Sequence, residues 1–316
     1  MEYAVLYNPV AGRGRAVPLA EEARAFLEAR GHVVHDARSE RAGHVEELAA
    51  AFGPRVDRVL VLGGDGSLRE AAAGLVGRDG TRPRPRAALG VLPMGSGNVV
   101  ARELGLPLEP RAALEAIEGG GERPFDLGVA DTADGPEPFL AMCGVGFDAE
   151  VAAAVDRTRR GRWGGRLYRR SGDLVYGAVG LCRLAFGRRE PLGVELDGDA
   201  LAGDVASLVV CNARVYGKGM VLTPDAVPDD GVLDVHLQRA RSAWGMATTL
   251  VQAQRRRPIP AWAAEARRAH SVRIRTRGVR ECAWQLDGDP MGGAAALDLR
   301  IVPGALRLLA GGGASA

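Results

Sequence analysis

Residues 59–70 read VLVLGGDGSLRE. The run from Val59 to Leu62 has the continuous apolar character of a buried strand, and Gly63, Gly64, Asp65 and Gly66 then turn the chain into a helix. Glycine loses the most conformational freedom on folding, so a cluster of glycines here implies a close approach to the backbone. Ser67 and Glu70 have the S-x-x-E spacing of a capping box, which places the helix start at Ser67. Open amides at such a start, with the positive end of the helix dipole behind them, suit an anion such as a phosphate. Asp65 qualifies that reading: a carboxylate beside phosphates repels them unless it holds Mg²⁺ or binds a hydroxyl.

The same texture extends on both sides of this stretch. YAVLYN, HVVHDA, RVLVLG and ALGVLP are short apolar runs, and each feeds a helical period: PLAEEARAFLEARG, HVEELAAAF, SLREAAAGLV and NVVARELG. Four strands alternating with helices predict a parallel sheet built from βαβ units. NPVAGRGR after the first strand offers Gly12 and Gly14, and LPMGSGNVV after the fourth offers Gly95, Ser96, Gly97 and Asn98. In an open α/β sheet all these turns lie at the carboxyl ends of the strands, where ligands bind. The pattern G-x-x-x-x-G-K-[ST] is absent, which excludes a P-loop enzyme.

Beyond Pro124 the periodicity changes to strand-like segments with Asp-Gly turns, among them FDLGVAD, PFLAMCGVGF, LGVELDGDALAG, VASLVVCNA, VLDVHLQRA, SVRIRT, AWQLDGDPMG and LDLRIVPG. This predicts an antiparallel sheet or sandwich, interrupted by helix at about 148–185 and 242–255. Two domains follow: residues 1–128 as an α/β domain and 129–316 as a β-sandwich, the last residues returning to the first domain.

Composition fits a globular protein: 316 residues, 47% hydrophobic and 25% charged, with a net charge of +2. That balance gives no whole-chain signal for nucleic acid, although Lys218 is the one lysine among the 41 basic residues. Cys143, Cys182, Cys211 and Cys282 are far apart, without CxxC or nearby histidines, and read as reduced core residues of a cytoplasmic protein. The longest apolar stretch, from Leu174, is far shorter than the ~20 residues of a membrane span, so any membrane contact is peripheral.

Six blocks in order, NPVAGRG, GGDGSLRE, LPMGSGN, GVGFDAEV, NARVYGKGMVLTPDAVPDDGVLDVHL and QLDGDPMG, resemble the diacylglycerol kinase catalytic-domain family, in particular its compact bacterial lipid kinases, which are similar to sphingosine and ceramide kinases. The resemblance covers nearly the whole chain. It implies a Rossmann-like α/β domain of the NAD kinase and diacylglycerol kinase type, a C-terminal β-sandwich, and ATP in the cleft between them. By matching position, Asn8, Pro9, Val10, Ala11, Gly12, Ser39, Gly63, Gly64, Asp65, Gly66, Ser67, Leu68, Arg69, Gly95, Ser96 and Asn98 would bind ATP. Asp65 would stand closest to the phosphates and the catalytic Mg²⁺. A second, structural Mg²⁺ would be held by the Asp230 carboxylate and the carbonyls of Val227 and Val232. The general base would be Asp289, with Asp287, across one glycine, as the alternative. Glutamate is usual at the position of Asp289, so this base would sit nearer its substrate or act through water.

The implied reaction is transfer of the γ-phosphate of ATP to the hydroxyl of a diacylglycerol or related lipid. A soluble-substrate kinase of the NAD kinase or phosphofructokinase type and a non-catalytic nucleotide-binding regulator are the alternatives. The lipid would be met at the inner face of a membrane through Arg157–Arg170, where seven arginines of the 156–170 segment are interleaved with Trp163, Leu167 and Tyr168. QRRRPIPAWAAEARR is a second cluster of this kind. No nucleic-acid partner is expected, and the chain would be a monomer or homodimer.

Overall fold

The computed structural model describes residues 1–161, 179–180, 190–217, 219–240, 242–278 and 280–312. The first half consists of the strands β1 (Glu2–Tyr7), β2 (Val33–Arg38), β3 (Arg58–Gly63) and β4 (Ala88–Pro93) with the helices α1 (Ala16–Glu28), α2 (His44–Phe52), α3 (Asp65–Val76), α4 (Val99–Glu103) and α5 (Pro110–Glu118). The strands pair in the order β2-β1-β3-β4, all parallel. Every residue of β3 and β4 is buried, which is why, Arg58 apart, both read as apolar runs: α1 packs with α5 and α2 with α3, and the sheet is covered on both faces.

The second half begins with β5 (Gly121–Thr132), β6 (Gly135–Phe139), β7 (Met142–Val145) and α6 (Phe147–Arg160). It continues through β8 (Leu192–Leu196), β9 (Asp199–Ala200), β10 (Ser207–Cys211), β11 (Val215–Tyr216), β12 (Met220–Val221) and β13 (Leu233–Gln238). The last elements are α7 (Ala243–Gln254), β14 (Ala264–Ala269), β15 (Ser271–Thr276), β16 (Cys282–Leu286), β17 (Asp289–Ala294) and β18 (Ala296–Ala310). An antiparallel sheet in the order β14-β13-β10-β7-β16-β17 forms one layer. The other layer is an extension of the first sheet. Strand β18 pairs parallel with β4 at Leu308 and Leu89, and antiparallel with β5 and β15. Val194, Ile274, Leu297 and Leu299 from that extension are buried against Val145, Leu208, Val235 and Leu286 from the opposing sheet. This is the sandwich core. The boundary expected at residue 128 falls inside β5.

One local expectation is corrected. PFLAMCGVGF is not one strand: β6 and β7 belong to different sheets, and the chain crosses between layers at Leu140 and Ala141. The C-terminal part of QRRRPIPAWAAEARR is the edge strand β14, paired with β13.

Candidate active site

Parallel register places the turns side by side. Tyr7 stands opposite Arg38 and Leu62, and Gly63 opposite Pro93, so Asn8–Gly12, Ser39, Gly63–Arg69 and Gly95–Asn98 all emerge at the carboxyl ends of neighbouring strands. Asn8 Oδ1 accepts from the Val10 amide at 3.0 Å and the Asn8 carbonyl accepts from the Ala11 amide at 2.9 Å, which curls Pro9 and Val10 into a turn ending in a short 3₁₀ helix over Ala11–Gly14. Ser39 is buried, and its amide donates to the Tyr7 carbonyl at 2.8 Å. The central two turns cross: a Cβ at Gly95 would lie 2.8 Å from the Gly64 Cα, and one at Gly64 3.1 Å from the Gly95 Cα. Backbone meets backbone there: a side chain at Gly95 would have to displace the Gly64 backbone, and one at Gly64 would need Gly95 to give by a few tenths of an ångström. Asn98 locks the crossing from below, accepting from the Gly95 amide and donating to the Gly95 carbonyl, each at 2.9 Å.

Helix α3 starts at Asp65, not at Ser67. Gly64 is its N-cap and supplies no side-chain bond, Ser67 is its third residue, and the Glu70 carboxylate interacts with the Gly43 amide instead of with its own helix. The capping box therefore does not form. Its consequence favours an anion: the Gly64 carbonyl first accepts from Leu68 at 3.1 Å, so the Gly66 and Ser67 amides have no acceptor within the helix. Asp65 Oδ1 accepts from the Val100 amide at 3.1 Å, at the start of α4. Burial pushes its carboxyl up to about 6, against the pull of the Val100 and Val99 amides and with a smaller push from Asp287.

The second half brings Asp289 to this point. Its Oδ2 pairs with Arg69 Nη2 at 3.1 Å, and a Cβ on Gly66 would lie 2.5 Å from the same oxygen, so glycine at 66 lets the carboxylate rest on the first turn of α3. Arg69 also donates to Met291 Sδ at 3.6 Å, tying α3 to β17. Asp287 has a different place. It is buried at φ +50°, Oδ2 accepts from the Leu140 amide at 2.9 Å, and Oδ1 from Ala141 at 2.7 Å and Met142 at 3.0 Å. It fixes the crossing between the two sheets. Burial raises its carboxyl above the usual carboxylate range, with Arg69 and those amides opposing.

Gln285 supports the same turn from beneath, accepting from the Gly288 amide at 2.5 Å and donating to Asp148 Oδ2 at 2.7 Å, while Tyr216 donates to Asp148 Oδ1. Sequence reading missed Gln285 because one amide side chain in a strand carries no pattern.

Val227, Asp230 and Val232 lie elsewhere, on the turn before β13. Asp230 Oδ1 accepts from the Val232 amide at 3.1 Å, its amide donates weakly to the Val227 carbonyl at 3.4 Å, and Arg268 pairs with its Oδ2. Asp126, another residue the sequence did not single out, stitches this turn to β5 and β18 by accepting from Gly231 at 2.7 Å and Gly304 at 2.5 Å. No group of three or more His, Cys, Asp or Glu side chains among the described residues is arranged to hold a metal ion. The expected set, one carboxylate with two carbonyls, is of another kind, and its oxygens are hard donors. Beside it Asp234 Oδ2 is buried without a hydrogen-bond partner, so the donor chemistry fits a small cation, with Arg268 meeting part of that charge.

The segment Arg157–Arg170 lies largely outside the described residues, which stop at Gly161 before resuming at 179. No helix among the described residues is long and apolar enough to cross a membrane.

Comparison with known proteins agrees with this geometry along the chain. The diacylglycerol kinase catalytic domain profile matches residues 2–130, and that of the YegS C-terminal NAD kinase beta sandwich-like domain matches 141–310. A curated relative named "Diacylglycerol kinase" from Mycobacterium tuberculosis is 35% identical over 248 residues, covering 75% of this chain and 73% of the relative. One named "Probable lipid kinase YegS-like" from Pseudomonas aeruginosa is 33% identical over 271 residues, covering 83% and 78%. A crystal structure of a diacylglycerol kinase from Bacillus anthracis superposes with a TM-score of 0.71 over 98% of this chain and 96% of the other, at 17% identity, which speaks for the fold. With a shared fold, a shared pair of domains and relatives above 30% identity over most of their length, this chain belongs to the diacylglycerol kinase catalytic-domain family, whose members are kinases acting on an alcohol.

Proposed function

We propose that the chain transfers the γ-phosphoryl group of ATP to the hydroxyl of a lipid, with diacylglycerols as the first acceptors to examine. The observation that carries this reading is the approach of Asp289, from the second half, to the first turn of α3 in the first. Phosphates bound on the open Gly66 and Ser67 amides would lie within reach of a base supplied across the cleft. The acceptor oxygen forms its bond to the γ-phosphorus, the bond to the β,γ-bridging oxygen breaks, Asp289 takes the hydroxyl proton, and ADP leaves. Arg69 positions that carboxylate, and Asn98 and the crossed glycines fix the loops around the phosphates. Mg²⁺ at Asp65 would neutralise phosphate charge during transfer, and a second at Asp230, Val227 and Val232 would brace the turn before β13. Asp65 and Asp289 each have a place in this scheme, which a non-catalytic regulator would leave idle.

The direct test is Mg²⁺-dependent transfer of labelled γ-phosphate from ATP to a panel of lipids in mixed micelles, with NAD and fructose 6-phosphate as soluble controls. Label in a lipid is expected. Label in a soluble control alone would overturn the lipid reading. The loop crossing gives a second expectation: Gly95→Ala forces a Cβ into the Gly64 backbone, an overpacking of about 1–3 kcal/mol. Calorimetric titration should show nucleotide affinity reduced by about 5- to 150-fold for the same energetic range. Unchanged affinity would mean that these loops do not hold the phosphates.

A further inference from the structure

Three of the large hydrophobic side chains exposed on the described surface come from one short region: Trp244 at 75%, Val251 at 47% and Trp262 at 56%. Trp244 and Val251 lie on α7. With Thr248 and Arg255 they recur at i, i+4, i+7 and i+11, which aligns them along one stripe of the helix. The opposite face, Gly245, Met246, Thr249 and Ala253, is buried. Trp262 comes back to the beginning of α7, because the next residue, Ala263, accepts through its carbonyl from the Arg239 and Ala240 amides, each at 3.1 Å. The two exposed indoles therefore flank one end of the helix.

Charge is distributed along the same surface. Residues 239–264 contain five arginines and no acidic residue. Arg239 is neutralised by Glu265 at 2.7 Å, but Arg255, Arg256 and Arg257 are exposed at the other end of α7 and form no ion pair among the described residues. Arg256 Nη2 donates to the Gly219 carbonyl at 3.3 Å. An apolar stripe ending in indoles on one side and exposed guanidiniums on the other complements an anionic bilayer: indoles favour the interfacial zone and arginines the headgroup charge. The inner face of α7 adds a further link, since Met246, Thr249 and Leu250 wall a cavity with Phe147, Leu208 and Leu222.

We propose that α7 and the following loop to Trp262 form the surface by which this protein lies on an anionic membrane, Trp244, Val251 and Trp262 entering the interface and Arg255–Arg257 engaging lipid phosphates. The inference rests on the lipid-kinase reading for its purpose, and its location differs from the segment 157–170. On such a bilayer α7 lies between the lipid phase and this cavity, so an acceptor leaving the membrane meets this helix first.

The test is co-sedimentation with phosphatidylcholine vesicles, with and without phosphatidylglycerol, comparing the parent with Trp244→Ser/Trp262→Ser and with Arg255→Gln/Arg257→Gln. Binding to the anionic vesicles is expected to fall by about tenfold or more in each pair. The arginine pair should have no effect on the weak binding to phosphatidylcholine alone. Transfer to a short-chain diacylglycerol below its micelle concentration should be unchanged in both, while transfer to long-chain diacylglycerol in vesicles falls with binding. Vesicle binding that depends on these residues, in a protein that phosphorylates no lipid, would establish the surface and reject the lipid-kinase reading. Unaltered vesicle binding in both pairs would overturn the proposal. So would conversion of a dimer to a monomer by the tryptophan pair in sedimentation velocity with vesicle affinity unaltered, which would make this a contact between two copies.

Discussion

Replacing Asp289 by asparagine is expected to lower kcat for phosphoryl transfer by about 10²–10⁴-fold, the usual contribution of a positioned base, while nucleotide affinity and melting temperature stay close to those of the parent. Asparagine has the same shape but cannot take the hydroxyl proton. The Asp289 side chain is 48% exposed, and its pair with Arg69 is therefore worth only about 0–1 kcal/mol to the fold. Asp287→Asn should behave in the opposite way. Asparagine can keep the two bonds to Ala141 and Met142, but it then turns an NH₂ toward the Leu140 amide, costing about 1–3 kcal/mol and loosening the crossing between sheets. Single-turnover kinetics at saturating ATP and thermal melting of both variants separate the two carboxylates. Near-normal turnover in Asp289→Asn, with Asp287→Asn folded and inactive, would move the base to Asp287.

The two aspartates also show where sequence stops being informative. LDGD occurs at 196–199 and at 286–289, and both turns have the same backbone, with Asp197 at φ +50° and Gly198 at +91°, Asp287 at +50° and Gly288 at +90°. Local chemistry makes them alike. Asp197 ties down the His270 and Ser271 amides at an exposed edge, whereas the second turn faces the start of α3, and only the tertiary fold distinguishes them. Three of the four strand–helix repeats were legible because β1, β3 and β4 are buried strands with apolar runs and glycine in the turns after them, whereas the mostly exposed β2 was legible through its alternation with the helical periods. The crossing at Leu140–Ala141 was not, since PFLAMCGVGF is apolar throughout and no turn residue marks the change of sheet. Nor was the length of β18, whose pairing partners β4 and β5 lie far away in sequence. Ser67 and Glu70 had the spacing of a cap, but α3 begins at Asp65, with Gly64 as its N-cap, where the chain passes close to Gly95.

Asp65→Asn is expected to reduce kcat/KM by about 10³-fold, the scale seen when one fixed electrostatic contact to the transferring group is removed, and at the same time to leave the protein as stable as the parent or more so near neutral pH. The sign follows from its environment. Burial raises the Asp65 carboxyl from 3.8 to about 6, so the folded protein favours the neutral acid. Any stability from this group is fully present below pH 3.8 and is lost as pH rises through about 6; above that the ionised carboxylate costs the fold up to about 3 kcal/mol, from roughly two units at 1.36 kcal/mol each. Asparagine can still accept from the Val100 amide and carries no charge to desolvate, so the stability advantage of the variant should shrink as pH falls toward 4. The parent's activity at low MgATP should correspondingly have an acid limb near pH 6. That limb should shift downward at saturating MgATP, because a bound cation favours the carboxylate. Were Asp65 only a cap for α4, its asparagine variant would keep its activity at any pH. A stable, inactive variant would instead mean that the fold tolerates an unfavourable buried charge at the head of α3 because phosphoryl transfer requires it.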